Sequence, residues 1–345
     1  MPQTPELPVA VDAMSGDLAV AIRVAGAIQA LQDMPSLRLI LVGNPSVLDP
    51  LLQPLSPALR ERLQVKAASQ VVAMHDTPRS AVRHAKDSSM RVAVDLVKLG
   101  LASACVSAGN TGALMAIGHF VLKTVAGVER AAIMSAIPAS SGYVLMLDLG
   151  ANAGATALQL AQFAAMGSIA ASEAYGLAAP RVGLLNIGEE DIKGHEVVRD
   201  AHALISAAGL NYIGFVEGDT IFSGTVDVVV TDGFTGNVAL KTMEGLARMI
   251  RGRLQAEFAR GLFARLAGLL ALPVLRRVAA SLDPGRYNGA CMVGLAGVVV
   301  KSHGRADRES FAQAVKFAAR AVEQRLPGRI AVAMTLAMAA ERKAN

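Results

Sequence analysis

A chain of 345 residues, 53% of them apolar, is long enough for a large core and is not the composition of a disordered polymer. Tryptophan is absent and aromatics make up only 4%, so alanine, valine and leucine must do the packing, as in Ala-rich helices laid on Val-rich strands. The net charge of +5 leaves room for an acidic partner or an anionic surface, but the basic residues are not interleaved with aromatics and match no nucleic-acid motif.

In chain order, residues 7–11 read as a short apolar strand ending in Asp12-Ala-Met-Ser-Gly-Asp17, and a helical pattern follows over 20–32. Residues 37–42 form a second strand, and 45–63 a helical region punctuated by prolines. A short extended piece at Val71 and Val72 precedes Thr77-Pro78. Residues 80–99 read as one helix with a basic face (Arg83, His84, Lys86, Arg91). A small-residue strand at 102–106 opens into Ser107-Ala-Gly-Asn-Thr-Gly112 and a helix. Residues 131–136 are extended, and the buried strand 143–147 ends at Asp148-Leu-Gly-Ala-Asn152 before a helix over 157–175.

Residues 181–185 form a strand ending at Asn186-Ile-Gly-Glu-Glu-Asp-Ile-Lys-Gly194, with a helix over 195–208, and 212–215 form another strand. The run 226–230 is a strand closed by Thr231-Asp-Gly233, and its helix begins at Gly236 and Asn237. A late strand, 296–301, ends at Ser302-His-Gly304, and 309–324 is helical. Strands that are continuous apolar runs alternating with helices predict an α/β fold: a mostly parallel sheet with helices on both faces, read as a single domain.

The segment 246–278 departs from this pattern. Ile250, Leu254, Phe258, Leu262 and Leu266 recur at helical spacing, with Phe263 beside them, and seven arginines face a single acid, Glu257. A basic amphipathic helix of this kind suits either an anionic membrane surface or a protein interface. No secretory signal is visible and no apolar run is long enough to span a bilayer, so a cytosolic protein is expected. Cys105 and Cys291, far apart and inside apolar stretches, are expected as buried free thiols, and no Cys/His spacing suits a metal.

Chemistry is expected past the carboxyl ends of the strands, where an open α/β sheet binds its ligands. Ser107, Gly109, Asn110, Thr111 and Gly112 form a candidate anion cradle at a helix start, where backbone N–H groups and the helix dipole favour negative charge. It is neither a Walker A loop nor a dinucleotide fingerprint. Lys193, between a turn and a helix start, suits a phosphate or a developing oxyanion. Asp17, Asp232, Asn237 and His303 fall at strand ends too. No nucleophile elbow is present, so a covalent acyl-enzyme is not supported.

Together these turns form a collinear set over nearly the whole chain. Asp12 to Asp17, Asp87-Ser-Ser-Met90, Ser107 to Ala113, Asp148 to Asn152, Gly183 to Glu190 with Lys193-Gly194, Asp227 to Asn237, Gly294-Leu-Ala-Gly297 and Lys301-Ser-His-Gly304 resemble the PlsX-type phosphate acyltransferases. The resemblance implies an isocitrate dehydrogenase-like or phosphotransacetylase-like fold, a homodimer and a peripheral association with membrane, which favours lipid contact for 246–278. It implies transfer of a fatty acyl group from acyl carrier protein to inorganic phosphate, for phospholipid synthesis, without a cofactor. On that reading the 107–112 cradle holds phosphate, Lys193 and Asn237 stabilise the oxyanion or phosphate, Asp232 orients one of them, and His303 binds phosphate or protonates the leaving group. Asp17 orients loops at the same edge. Two rivals stay open: a phosphotransacetylase-like enzyme acting on acetyl-coenzyme A, and a silent membrane-bound scaffold. Ser15 stands where the family usually has glycine, and Thr231 where cysteine is common.

Overall fold

The computed structural model describes residues 7–140, 142–281 and 288–344. The first stretch holds β1 (Val9–Asp12), α1 (Val20–Asp33), β2 (Leu39–Gly43), α2 (Pro45–Leu52), α3 (Pro57–Arg60), β3 (Leu63–Ala67), α4 (Pro78–His84), α5 (Ser89–Lys98), β4 (Ala104–Ser107), α6 (Thr111–Leu122) and β5 (Ala132–Ala139). The second holds β6 (Gly142–Leu147), α7 (Ala157–Tyr175), β7 (Val182–Leu185), α8 (Glu196–Ala207), β8 (Tyr212–Val216), β9 (Val228–Val230), α9 (Gly233–Phe258) and α10 (Leu262–Ser281). The last holds β10 (Ala290–Val293), β11 (Val298–Lys301), α11 (Arg308–Glu323) and α12 (Leu326–Ala344).

All eleven strands join one sheet in the order β3-β2-β1-β4-β11-β10-β5-β6-β9-β7-β8. Side chains alternate between its faces, as the strand period requires. Val9, Val11, Val228 and Val230 pack with Phe163 of α7, Ile205 of α8 and Phe311 of α11. Ala10 and Val229 face the other way, with Val94 of α5 and Ile117 of α6. Both faces are therefore covered, which is why the central strands read as unbroken apolar runs. Cys105 and Cys291 are buried free thiols. Desolvation pushes both thiols up, Cys291 to about 12, so neither is poised as a thiolate.

The strands fall into two parallel blocks of opposite sense. β3, β2, β1, β4 and β11 run one way. β10 is antiparallel to both β11 and β5, and β5 is antiparallel to β6. β6, β9, β7 and β8 then run parallel to one another, against the first block. In a flat sheet the carboxyl ends of the two blocks would lie on opposite edges. Sheets twist, however, and the five steps from β4 to β9, at roughly 20–25° each, accumulate to roughly 100–125°. That rotation swings the two sets of strand ends toward each other.

Several elements differ from the sequence reading. The helix expected over 80–99 is two helices, because Ser88 caps α5: its hydroxyl accepts the Arg91 N–H at 3.2 Å, and Asp87 is tied to Ser69. β3 lay hidden at the end of the Pro-punctuated region, where Gln64 and Lys66 interrupt the apolar pattern of an edge strand. β10 and α12 had no counterpart in the sequence reading. The helix after β9 begins at Gly233, earlier than expected, because Asp232 caps it.

Candidate active site

The first block gathers three loops at its carboxyl end: β1 to α1, β4 to α6, and the turn after β11. The Asp12 carboxylate is fully buried and accepts the N–H groups of Met14 and Ser15 and the hydroxyl of Ser107, the last at 2.6 Å. The Ser107 hydroxyl also accepts the Gly109 N–H at 3.1 Å. Ser107 thus ties β4 to β1 inside the protein instead of facing a ligand. Gly109 is required by packing: a Cβ there would lie 2.5 Å from Met90 Cε and 2.7 Å from Ser15 Cβ.

Asn110 caps α6, its oxygen accepting the Ala113 N–H at 3.0 Å, while its amide donates to the carbonyls of Met74 and Asp76 at 2.8 and 3.0 Å. Both amide hydrogens are therefore committed to the loop before α4. Of the expected cradle, Thr111 and Gly112 keep unengaged polar groups among the described residues: the Thr111 hydroxyl and the first N–H groups of α6. Arg23 is buried and fastens the neighbouring loop through the carbonyls of Ala13, Met14 and Leu18.

Asp17 is exposed, and its N–H donates to Gly304 O at 2.9 Å, joining the first and third loops. His303 is held by two contacts: its N–H donates to Asn288 Oδ1, and its Nδ1 accepts the Arg305 N–H at 3.1 Å. The neutral ring then carries its proton on Nε2. Desolvation lowers its pKa, Glu244 and Asp17 oppose that, and Lys241 and Lys301 add to it. Lys301, which the sequence reading passed over, is only 9% exposed. Burial lowers its ammonium to about 8; Asp17 and Asp12 pull it up, and Lys241 pushes it down.

The second block gathers the loops after β6, β7 and β9. The Asp148 carboxylate is fully buried and accepts the N–H groups of Ile133, Gly150, Ala151 and Asn152 and the Asn152 amide. Burial raises its pKa, and the hydrogen bonds from Ala151, Ile133 and Asn152 offset part of the rise. This loop is a platform for α9. A Cβ on Gly233 would lie 2.4 Å from Asn152 O, and one on Gly236 would overlap Asp148 O, so the helix start seats directly on the loop.

Asp232 accepts the Thr235 N–H at 2.9 Å and its hydroxyl at 2.7 Å. The carboxylate caps α9 and does not contact Lys193 or Asn237, which corrects the orienting role expected for it. Asn237 is exposed beside Gly150, where a Cβ would stand 3.5 Å from its carboxamide. Lys193 is exposed in the loop after β7, its carbonyl accepting from Asn186 at 3.2 Å. Neither the Lys193 ammonium nor the Asn237 carboxamide has a protein partner among the described residues.

The predicted site residues thus divide: Asp17, Ser107, Gly109, Asn110, Thr111, Gly112 and His303 on one block, Lys193, Asp232 and Asn237 on the other. α9 connects them. Its first turn sits on the Asp148 loop, and two turns on, Lys241 comes within Coulombic reach of His303 and Lys301, and Glu244 of His303. Beyond that point α9 buries nothing; its buried residues are Gly233 and Gly236. Phe258 turns inward against Gly268 of α10, whereas Ile250, Leu254, Leu262, Phe263 and Leu266 are exposed, Phe263 by 91%.

A doubly covered, twisted sheet with helix-starting turns brought together from two opposed blocks is the phosphotransacetylase-like architecture. A phosphotransacetylase from Streptococcus pyogenes aligns with a TM-score of 0.62 at 18% identity, covering 92% of this chain and 94% of that one. Residues 7–329 match the family described as fatty acid synthesis protein, and the chain belongs to that family. A relative from Methylococcus capsulatus named phosphate acyltransferase is 55% identical over 332 residues, 96% of this chain and 98% of that one. One from Pseudomonas putida with the same name is 53% identical, covering 93% of this chain and 96% of that one. The PlsX-type resemblance carried by the loop motifs is borne out, and the chain is an acyltransferase.

Proposed function

We propose that this enzyme transfers a long-chain fatty acyl group from the thioester of acyl carrier protein to inorganic phosphate, giving an acyl phosphate for phospholipid synthesis. Acyl transfer to phosphate follows from the family. The observation that supports the assignment of the site is α9, which carries the exposed Asn237 and, one turn on, brings Lys241 to the basic groups of the other block, where the α6 N-terminus is open.

In this reading a phosphate oxygen attacks the thioester carbonyl carbon, the carbonyl becomes an oxyanion, and the carbon–sulfur bond breaks to release the carrier's thiolate. Phosphate is already a nucleophile, so the protein must position it and stabilise the oxyanion. Lys193 and Asn237 donate to the oxyanion. Thr111, the N–H groups of Thr111 and Gly112, and His303 through Nε2–H meet the phosphate. Asp232 holds the start of α9, and Asp17 holds the turn that carries His303. Ser107, Gly109 and Asn110 fix the shape of the cradle from behind.

Acyl carrier protein is acidic, and basic surface should meet it. Arg91 is already paired with Asp95 at 2.9 Å and lies over Phe120. That leaves Arg83 and the arginines of α9 and α10 as the carrier surface. The exposed apolar residues of the α9–α10 pair, set among those arginines, suit a peripheral hold on an anionic membrane, where an acyl phosphate is least soluble in water and most useful. No helix among the described residues is long and apolar enough to cross a membrane. A homodimer of cytoplasmic protomers completes the reading.

The test is acyl-phosphate formation from palmitoyl-acyl carrier protein and phosphate, trapped with hydroxylamine. Phosphate-dependent product supports the reading. Turnover of acetyl-coenzyme A alone would replace the donor. No product from a folded protein that still floats with anionic vesicles would put the scaffold reading first. Leu262→Asp with Phe263→Asp should abolish flotation while leaving activity in detergent intact.

A further inference from the structure

A buried ammonium needs acceptors for its three hydrogens and a counter-charge. Lys301 has neither in full. Its Nζ donates to the carbonyl of Ser302 and, at 3.4 Å, to that of Ala108. No carboxylate lies within ion-pair distance of it among the described residues. The nearby Asp12 is saturated by Met14, Ser15 and Ser107. Glu244 is taken by Lys241 at 3.0 Å. One ammonium hydrogen therefore has no protein acceptor among the described residues.

Its position is set by the sheet. Lys301 pairs in register with Ser107, at the last residue of both strands, and Ala108 lies in the turn that leads into α6. The ammonium is thus pinned to the wall of the turn whose far end presents the open N–H groups of Thr111 and Gly112. Lys241 approaches from α9, and His303 stands two residues along. Like charges brought together from separate elements repel one another unless an anion lies between them.

We propose that Lys301 is a phosphate-binding residue of this enzyme, its ammonium anchored by the Ala108 and Ser302 carbonyls and donating its remaining hydrogen to an oxygen of the acceptor phosphate, with Lys241 closing over the same anion from α9. This rests on the reading that phosphate is the acyl acceptor. It explains why a lysine is buried where a neutral residue would cost less: the group needs its charge only when the anion is present. It also explains how α9 senses the first block. Lys241 and Asn237 lie on the same helix one turn apart, so an anion that draws Lys241 inward sets the helix that carries Asn237.

The phosphate dependence of wild-type turnover is measured first, because its absence would remove the function itself and not the role of Lys301. Lys301→Met keeps the length of the side chain and removes the charge. A lost hydrogen bond to a charged group is expected to raise the KM for phosphate on the order of 10- to 100-fold, with the KM for the acyl donor unchanged. Inorganic phosphate should raise the melting temperature of the wild type and not that of the variant. A fall in kcat at unchanged phosphate KM would overturn the proposal and leave Lys301 a structural residue. Should Lys301→Met not fold, Lys241→Ala, at an exposed position, serves as the second arm: an unchanged phosphate KM there overturns the two-cation site.

The pH profile gives a further readout. The groups facing the ammonium are Asp12 and Asp17 from the first loop, Lys241 from α9 and His303 from its own turn, and Glu244 of α9 reaches His303. With the ammonium at about 8, well below the ordinary lysine value, the phosphate KM should climb as pH rises through about 8. Lys301→Met should lose that climb; its persistence would assign the titration to another group.

Discussion

The two blocks present similar-looking turns and use them differently. On the first block two of the expected ligand groups are spent on the protein: Ser107 on Asp12, and Asn110 on Ala113, Met74 and Asp76. Open there, among the described residues, are main-chain N–H groups at the start of α6, the Thr111 hydroxyl and one hydrogen of the buried Lys301 ammonium. On the second block the platform is made of saturated groups, Asp148 and Asp232, while the Lys193 ammonium and the Asn237 carboxamide have no protein partner among the described residues. The difference separates two tasks. A cradle for a small rigid anion profits from groups that cannot move. A donor to a charge that develops only in the transition state must reach a substrate that arrives on a flexible carrier.

The sharpest way to break this comparison is Lys193→Ala. An exposed side chain with no protein partner carries little stability, so the melting temperature should stay within the scatter of surface substitutions. Loss of an oxyanion donor should lower kcat by about 10²–10³-fold. Hydroxylamine-trapped product at saturating phosphate and acyl donor gives the measurement. Near-normal kcat would remove the second block from the chemistry and leave its loop a support for α8.

Asn110→Ala probes the opposite prediction on the first block. Its side chain caps α6 and clamps the loop 74–76, so the loss should fall on stability, by about 1–2 kcal/mol for the cap. The chemical step should survive in the folded fraction, read as kcat per folded molecule from denaturant melts run alongside activity. A variant of normal stability with a raised phosphate KM would mean that the amide turns from the Met74 and Asp76 carbonyls to the substrate, and would restore Asn110 to the phosphate site.

This contrast also marks where the sequence was readable. Val226 to Val230 and Ala104 to Val106 announce themselves as buried strands, and the turns after them as helix starts, because both properties are local. The sense of the second block is not local: nothing in Val228–Val230 records that β10 and the β5–β6 hairpin reverse the sheet between it and β4. Seen as a sequence, all the turns belong to one edge. The roles within the turns blur for a related reason. Asn, Asp and Ser at a helix start are what a ligand site needs and also what a cap needs, and Asn110 and Asp232 proved to be caps. Lys301, read only as the start of the Lys301-Ser-His-Gly304 motif, was given no role for the opposite reason. A lysine closing an apolar strand reads as its solvated end, and only the tertiary structure, which turns its ammonium to the Ala108 carbonyl, makes it buried.

The smallest expected effect concerns Ser15, whose hydroxyl is buried on the first block with no hydrogen-bond partner among the described residues. Its neighbours show why it is not a ligand group. Ser15 N–H is bound by Asp12, and its Cβ fills the space against Gly109 that a Cβ on Gly109 would contest. The methylene therefore packs, and the oxygen is desolvated without return. Ser15→Ala keeps the packing atom and removes the orphan oxygen, so stability should rise by up to about 1 kcal/mol, seen as a higher denaturant midpoint at unchanged slope. The phosphate KM should not move. A raised KM would show that this hydroxyl turns to the anion when phosphate arrives, and the first block would then hold a side-chain donor that shows itself only with substrate bound.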